Sequence, residues 1–250
     1  MKKQIFFVFV LLGFLILPFV SISSYGWGFK RNTDHLPPDI GKYADEISGT
    51  NSFYVGSTSE KVVYLTFDAG YDNGNMEKIL QTLKEKDVSS TFFVTGDFLV
   101  RQSELTKKIV ENGHIVGNHS WSHKNITNLS REELTQELKK VEQKYNELTN
   151  QEMIKFFRPP AGDFDKQSLN IVKELGYTTF FWSIAFKDWL NEEKGREYSY
   201  NSVVDNLHNG AIILLHTVSK DNLAALPDII DGIREQGYVI KNLDYLQPSS

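Results

Sequence analysis

The chain has 250 residues, no cysteine, and 27 Lys and Arg against 32 Asp and Glu, for a formal net charge of −5. That length is enough for one large domain with a sizeable core, and the lack of cysteine excludes a disulfide framework, a thiol nucleophile and thiolate metal ligands. Lys2 and Lys3 lie in the leader, which leaves 25 basic residues against 32 acidic ones, a net of −7, so nucleic acid is not an expected partner.

Residues 1–23 read as separable from the fold. Met1-Lys2-Lys3 is a short basic start, Ile5 to Val20 is apolar, and Ser21-Ile22-Ser23 supplies small residues spaced like a signal-peptidase site. The apolar run is long for a signal peptide and slightly short of the roughly 20 residues that span a bilayer. A cleaved signal peptide and an uncleaved N-terminal membrane anchor are both compatible with it, and either exports the chain. Residues 24–60 are polar and turn-rich, with Asn32, Pro37-Pro38, Gly41, Gly49 and Gly56, and read as an N-terminal strap laid over the domain. The domain itself is expected over residues 61–246, with 247–250 as a tail, and a monomer is expected.

From residue 61 onward, short β-branched or aromatic runs alternate with stretches of helical period, the pattern of parallel strands and crossover helices. Val62 to Phe67 is the first strand candidate, and Met76 to Leu83 is a helix. Thr91 to Val94 follows as a strand, Leu105 to Val110 as a helix and His114 to Val116 as a strand. Ser130 and Glu133 then form a capping box ahead of Leu134, Leu138, Val141, Tyr145 and Leu148, the clearest helix in the chain. Strands are expected at Lys155 to Phe157, Thr179 to Trp182 and Ala211 to Leu215. A helix carrying Leu223, Leu226, Ile229, Ile230 and Ile233 precedes the last strand, Tyr238 to Ile240. Seven βα units in about 190 residues imply an α/β fold, a distorted seven-stranded (β/α) barrel of TIM type, although an open doubly wound sheet shows the same alternation.

The reactive residues cluster at strand ends, which favours the barrel with a single active face. Asp68 follows the first strand, His119 and His123 the third, Arg158 the fourth, Asp188 the fifth and His216 the sixth. His119 and His123 stand four residues apart, and their imidazoles converge on one point if that stretch turns helically, which is metal-ligand spacing.

At these residues the chain resembles the polysaccharide deacetylase superfamily, the NodB-homology or carbohydrate esterase family 4 group. Thr66-Phe67-Asp68-Ala69-Gly70 is similar to its first motif and His119-Ser120-Trp121-Ser122-His123 to its second. Arg158-Pro159-Pro160-Ala161-Gly162, Asp188-Trp189 and Leu215-His216 are similar to the third, fourth and fifth. Within the family the segments Trp27 to Asn32, Gly70 to Gly74, Phe181 to Trp189 and Leu214 to Ser219 resemble the spore-type peptidoglycan deacetylases of muramic δ-lactam synthesis.

That resemblance implies removal of acetyl from peptidoglycan N-acetylmuramic acid lacking its stem peptide, with glycan strands as the partner. The runner-up substrates are chitin-type or poly-N-acetylglucosamine glycans, and the non-enzyme alternative is a catalytically dead glycan-binding module. It implies Asp68 as general base, His216 as general acid, Arg158 as the group that orients Asp68, and Asp188 paired with either His216 or Arg158. The Ala161 amide would receive the oxyanion, while Tyr71 and Trp189 would flank the sugar. The cofactor implied is a divalent metal, Zn²⁺ by ligand type, on His119 and His123. The residue after the base is usually a second, metal-ligating aspartate, and here it is Ala69. Asp72 could replace it, a weaker site could use Asp68 and water, or the histidines could only hydrogen-bond substrate.

Overall fold

The computed structural model describes residues 24–190 and 193–246. The leader expected at 1–23 and the tail at 247–250 lie outside the described residues. Among the described residues no helix is long and apolar enough to cross a membrane.

The expected barrel architecture is observed. Seven parallel strands, β1 (Val62–Ala69), β2 (Thr91–Val94), β3 (Ile115–Asn118), β4 (Phe156–Phe157), β5 (Thr178–Phe180), β6 (Ile212–His216) and β7 (Val239–Lys241), lie within one or two residues of their expected positions. The sheet runs β1 to β5 in sequence order, with β6 and β7 both pairing with β1. The strand β5 ends too early to reach β6 by itself. The backbone just beyond it closes the circuit, with Ser183 and Ile184 donating to Ile212 O and Leu214 donating back to Ile184 O.

Helices α1 (Met76–Glu85), α2 (Gly96–Arg101), α3 (Ser103–Glu111), α4 (Arg131–Thr149), α5 (Lys166–Glu174), α6 (Arg196–Val204) and α7 (Lys220–Glu235) form the outer layer. The capping box read at the start of α4 is present in full, with Ser130 Oγ accepting from Glu133 N and Glu133 Oε2 from Ser130 N. Caps of this kind are worth about 0.5–2 kcal/mol.

Strand alternation sorts the core and aims the site. On β1, Val63, Leu65, Phe67 and Ala69 pack outward with Met76, Ile79, Ile229 and Ile230 of the helices. Val62 and Tyr64 instead join Phe93, Phe156, Phe180 and Ile212 in a separate inner cluster that fills the barrel. Side chains two residues apart share a face, so Asp68 on β1, Arg158 after Phe156 and His216 after Ile212 continue the inward-facing rows. Gly117 leaves the space that the Phe93 ring occupies, since a Cβ there would lie 2.7 Å from it.

Residues 24–60 run along the barrel. Tyr25–Gly26 pairs antiparallel with Asp163–Phe164, and Ser52–Phe53 adds to β5. Trp27 stacks on Phe181 with ring centroids 4.2 Å apart, and its Nε1 donates to Trp182 O at 2.9 Å. These contacts bring the segment from Trp27 to Arg31 to the mouth of the barrel.

Candidate active site

A groove of about 1050 Å³ crosses the C-terminal end of the barrel. Asp68, His119, His123, Ala161 and His216 line it, with Tyr71 and Trp189 at its exposed rims. The register of the two neighbouring strands sets Asp68 directly opposite His216.

Asp68 Oδ1 accepts from Arg158 Nη1 at 2.8 Å, and Asp68 Oδ2 faces His119 Nε2 at 3.5 Å. Arg158 is fully buried. Its Nε donates to Phe180 O at 3.1 Å, its Nη2 to Phe181 O at 3.4 Å, and its guanidinium lies 4.2 Å from the centroid of the Phe93 ring. Burial alone would raise the Asp68 pKa. The charges of Arg158 and His216, with the Arg158 hydrogen bond, outweigh it and hold the carboxyl below its usual range. Asp68 is therefore ionised at neutral pH.

His216 has the opposite tuning. Its Nδ1 donates to Asp188 Oδ1 at 2.7 Å, and its backbone N to Asp188 Oδ2 at 2.8 Å. Burial disfavours the imidazolium, but the hydrogen bond and charge of Asp188, helped by Asp68, prevail and raise the pKa. Of the two partners open to Asp188 in the sequence, the structure provides His216. Asn222 Nδ2 on α7 also donates to Asp188 Oδ2, fixing the carboxylate from behind. The Trp189 ring lies 5.2 Å from the His216 ring. Asp188→Asn is expected to lower the His216 pKa and shift the alkaline limb of the kcat/KM profile to lower pH. An unmoved alkaline limb in a pH–rate series would remove His216 from the acid role.

The histidine loop is not helical. Ser120 (φ 63) and His123 (φ 55) are both left-handed, and this fold, rather than a helical turn, brings the two imidazoles to 5.0 Å. Asn118 Oδ1 accepts from Ser120 N at 2.9 Å, and Ser120 Oγ accepts from His123 N at 3.0 Å. Glu137, turned inward from α4, accepts from Ser122 N at 2.7 Å and Ser122 Oγ at 2.8 Å. Sequence reading missed Glu137, because an acid on a charged helix looks solvent-facing until the loop that uses it is known. Asn118, at the end of β3, and Asn222, on α7, were missed because an amide gives no sign of its partner until the loop or carboxylate it holds is known.

His119 Nδ1 lies 2.8 Å from Arg158 O, and a carbonyl can only accept, so the proton sits on Nδ1. Burial pulls the His119 pKa down to about 4 and keeps the ring neutral. Its Nε2 lone pair then faces the Asp68 carboxylate, two acceptors with no donor between them. That is the tautomer and polarity that suit a cation. Position 69 offers nothing, because Ala69 is buried against the helix layer. Asp72 is engaged at the start of α1, where its Oδ1 accepts from Met76 N at 3.1 Å. Among the described residues no group of three His, Asp or Glu is arranged around one ion. The protein donors on view are two imidazoles with Asp68 beside them.

Ala161 is held at φ 53, ψ 8 by Pro159 and Pro160 before it, a left-handed conformation unusual for a residue with a Cβ. Gly162 follows at φ 71, packed beneath Trp27 and Trp182. This strained turn places Ala161 on the lining of the groove.

An ionised carboxylate beside an imidazole whose protonated form is favoured, in a groove of about 1050 Å³, equips the protein for hydrolysis. The chain belongs to the polysaccharide deacetylase family, which matches residues 55–180, and is a carbohydrate amide hydrolase. Peptidoglycan-N-acetylmuramic acid deacetylase PdaA of Bacillus subtilis is 45% identical over 222 residues, 88% of this chain and 84% of the relative. The structure of that family 4 carbohydrate esterase superposes with a TM-score of 0.87 at 44% identity, covering 89% of this chain and 96% of the other. A pseudoenzyme of the same family from Bacillus anthracis superposes with a TM-score of 0.73 at 31% identity, covering 78% and 68%. The family is generally metal-dependent.

Proposed function

We propose that the protein de-N-acetylates N-acetylmuramic acid in exported peptidoglycan strands that lack the stem peptide, leading to the muramic δ-lactam of spore cortex. The observation that carries the chemistry is the register pair Asp68 and His216, one held ionised and the other held protonated on adjacent strands. The similarity to the B. subtilis deacetylase supports the sugar. The site residues act as follows.

Asp68 takes a proton from water as its oxygen bonds to the acetyl carbon. The Ala161 N–H receives the developing oxyanion, in a turn strained into place beforehand. The carbon–nitrogen bond breaks as His216 gives its proton to the amine, and acetate leaves. Tyr71 and Trp189 flank the sugar from the two rims. His119 and His123 would hold a divalent ion, Zn²⁺ by ligand type, and its contribution would be Lewis-acid polarisation of the acetyl carbonyl. Closure of the freed amine onto the lactyl carboxyl, with loss of one water, gives the lactam. A stem peptide occupies that carboxyl, so the substrate must lack it. The N-terminal segment 1–23 directs export, by cleavage or as a membrane anchor, and the enzyme works as a monomer.

Purified protein is expected to release acetate from peptide-free muramyl strands and little from N-acetylglucosamine oligomers. Release from the oligomers alone would sink this reading. In a Zn²⁺ titration by calorimetry, His123→Ala is expected to bind at least tenfold more weakly than wild type, because a ligand loss should exceed the 10–100-fold typical of supporting residues. Equal affinities would leave the two histidines as substrate contacts.

A further inference from the structure

Besides His216, which is paired with Asp188, four charged side chains line the groove: Arg31, Asp68, Asp97 and Lys187. The two acids are already engaged, Asp68 by Arg158 at 2.8 Å and Asp97 by Arg101 at 2.7 Å. The two cations are not, for neither Arg31 nor Lys187 forms an ion pair among the described residues. In a chain of net charge −5, the uncompensated charge of this groove is thus positive. Both cations stand on one wall. Arg31 reaches from the N-terminal segment and donates through Nη2 to Ala185 O at 3.0 Å, which uses one of its five N–H groups. Lys187 lies two residues beyond Ala185 and immediately before Asp188, the partner of His216. Trp27, Phe29, Phe186 and Trp189 line the same groove with ring surface.

We infer that Arg31 and Lys187 form a carboxylate-reading subsite that selects a 3-O-lactyl sugar over one with a free 3-hydroxyl. This rests on the substrate reading above and adds to it the residues that discriminate. The chemistry sets the distance. The lactyl ether sits on the carbon next to the one bearing the N-acetyl group, so its carboxylate must lie a few bonds from the scissile amide. Lys187 adjoins Asp188, the partner of His216, and Arg31 is held to Ala185 three residues before it, so both cations border the segment that carries the partner of the general acid. Arg suits the planar carboxylate as a fork, and Lys adds a point charge. The subsite also explains the need for a peptide-free strand, because an amide at that carboxyl carries no charge to read.

The test compares peptide-free muramyl strands with the same strands after reduction of the lactyl carboxyl to an alcohol. Wild type is expected to favour the carboxylate form by about ten- to hundredfold in kcat/KM, the range for hydrogen bonds to a charged group. Arg31→Gln and Lys187→Gln should each lose part of that preference. The double variant should process both strands at similar rates, with the loss falling on the native strand. Lys187 is exposed and makes no hydrogen bond or ion pair among the described residues, so Lys187→Gln reports on recognition without disturbing the Arg31 link to Ala185. A double variant that melts like wild type and keeps the full preference would overturn the subsite alone. Wild type that acts on native strands without any preference would do the same. Wild type that releases no acetate from native strands would overturn the substrate reading and this subsite together.

Discussion

Asp68→Asn is expected to lower acetate release by at least a hundredfold while leaving the circular dichroism spectrum unchanged. General-base catalysis contributes about 10²–10⁴-fold, and the amide cannot take a proton from water. The substitution is close to isosteric, and the new side-chain oxygen can still accept from Arg158 Nη1, so the geometry at 2.8 Å survives in large part. What it removes is the charge, and with it one of the supports for protonated His216. The two effects separate in a pH series. Loss of the base flattens the profile at its acid limb, whereas loss of support for His216 draws the alkaline limb to lower pH. Residual activity within tenfold of wild type, measured well below the melting temperature, would assign the base to another group.

The legible parts of this site are those governed by strand periodicity. Alternation along Val62–Ala69 places Asp68 on the row of Val62 and Tyr64, and the same count places Arg158 above Phe156 and His216 above Ile212. Because a parallel barrel gathers strand ends on one face, residues 90 and 148 positions apart in sequence could be assigned to one groove before any coordinates. Loop geometry was not legible. The spacing of His119 and His123 suggests a helix, yet the imidazoles meet through two left-handed residues, neither of them glycine. No propensity predicts that. It depends on Glu137, fifteen residues after Ser122 on a helix rich in charged residues. Arg31 was equally silent, since a basic residue in a polar segment has no periodicity to place it. Only the path of residues 24–60 over the barrel brings it to the groove.

Arg158→Met is expected to destabilise the fold by about 3–5 kcal/mol at neutral pH, the cost of stranding a buried charge. For a domain of this size that is a fall of roughly 6–20 °C in melting temperature. The methionine fills much of the volume beside Phe93, so the loss lies mainly in Asp68, which is 7% exposed and left without its cation. The pH dependence distinguishes this cause from a simple packing defect. In wild type the folded-state pKa of Asp68 is depressed, so its contribution is present above the ordinary carboxylate pKa and is lost as pH falls through the folded value. In the variant, burial acts without Arg158 and the folded pKa rises above the ordinary value. Protonation then relieves the variant as pH falls, and the gap between the two proteins should narrow toward acid. A second substitution makes the same point at neutral pH. The pair Arg158→Met with Asp68→Asn removes both charges and is expected to recover about 1–3 kcal/mol relative to Arg158→Met alone, the coupling typical of contacting residues. Additive losses in denaturant titrations of the four proteins, with a pH-independent gap, would show that Arg158 stabilises the barrel by packing and not by holding the base ionised.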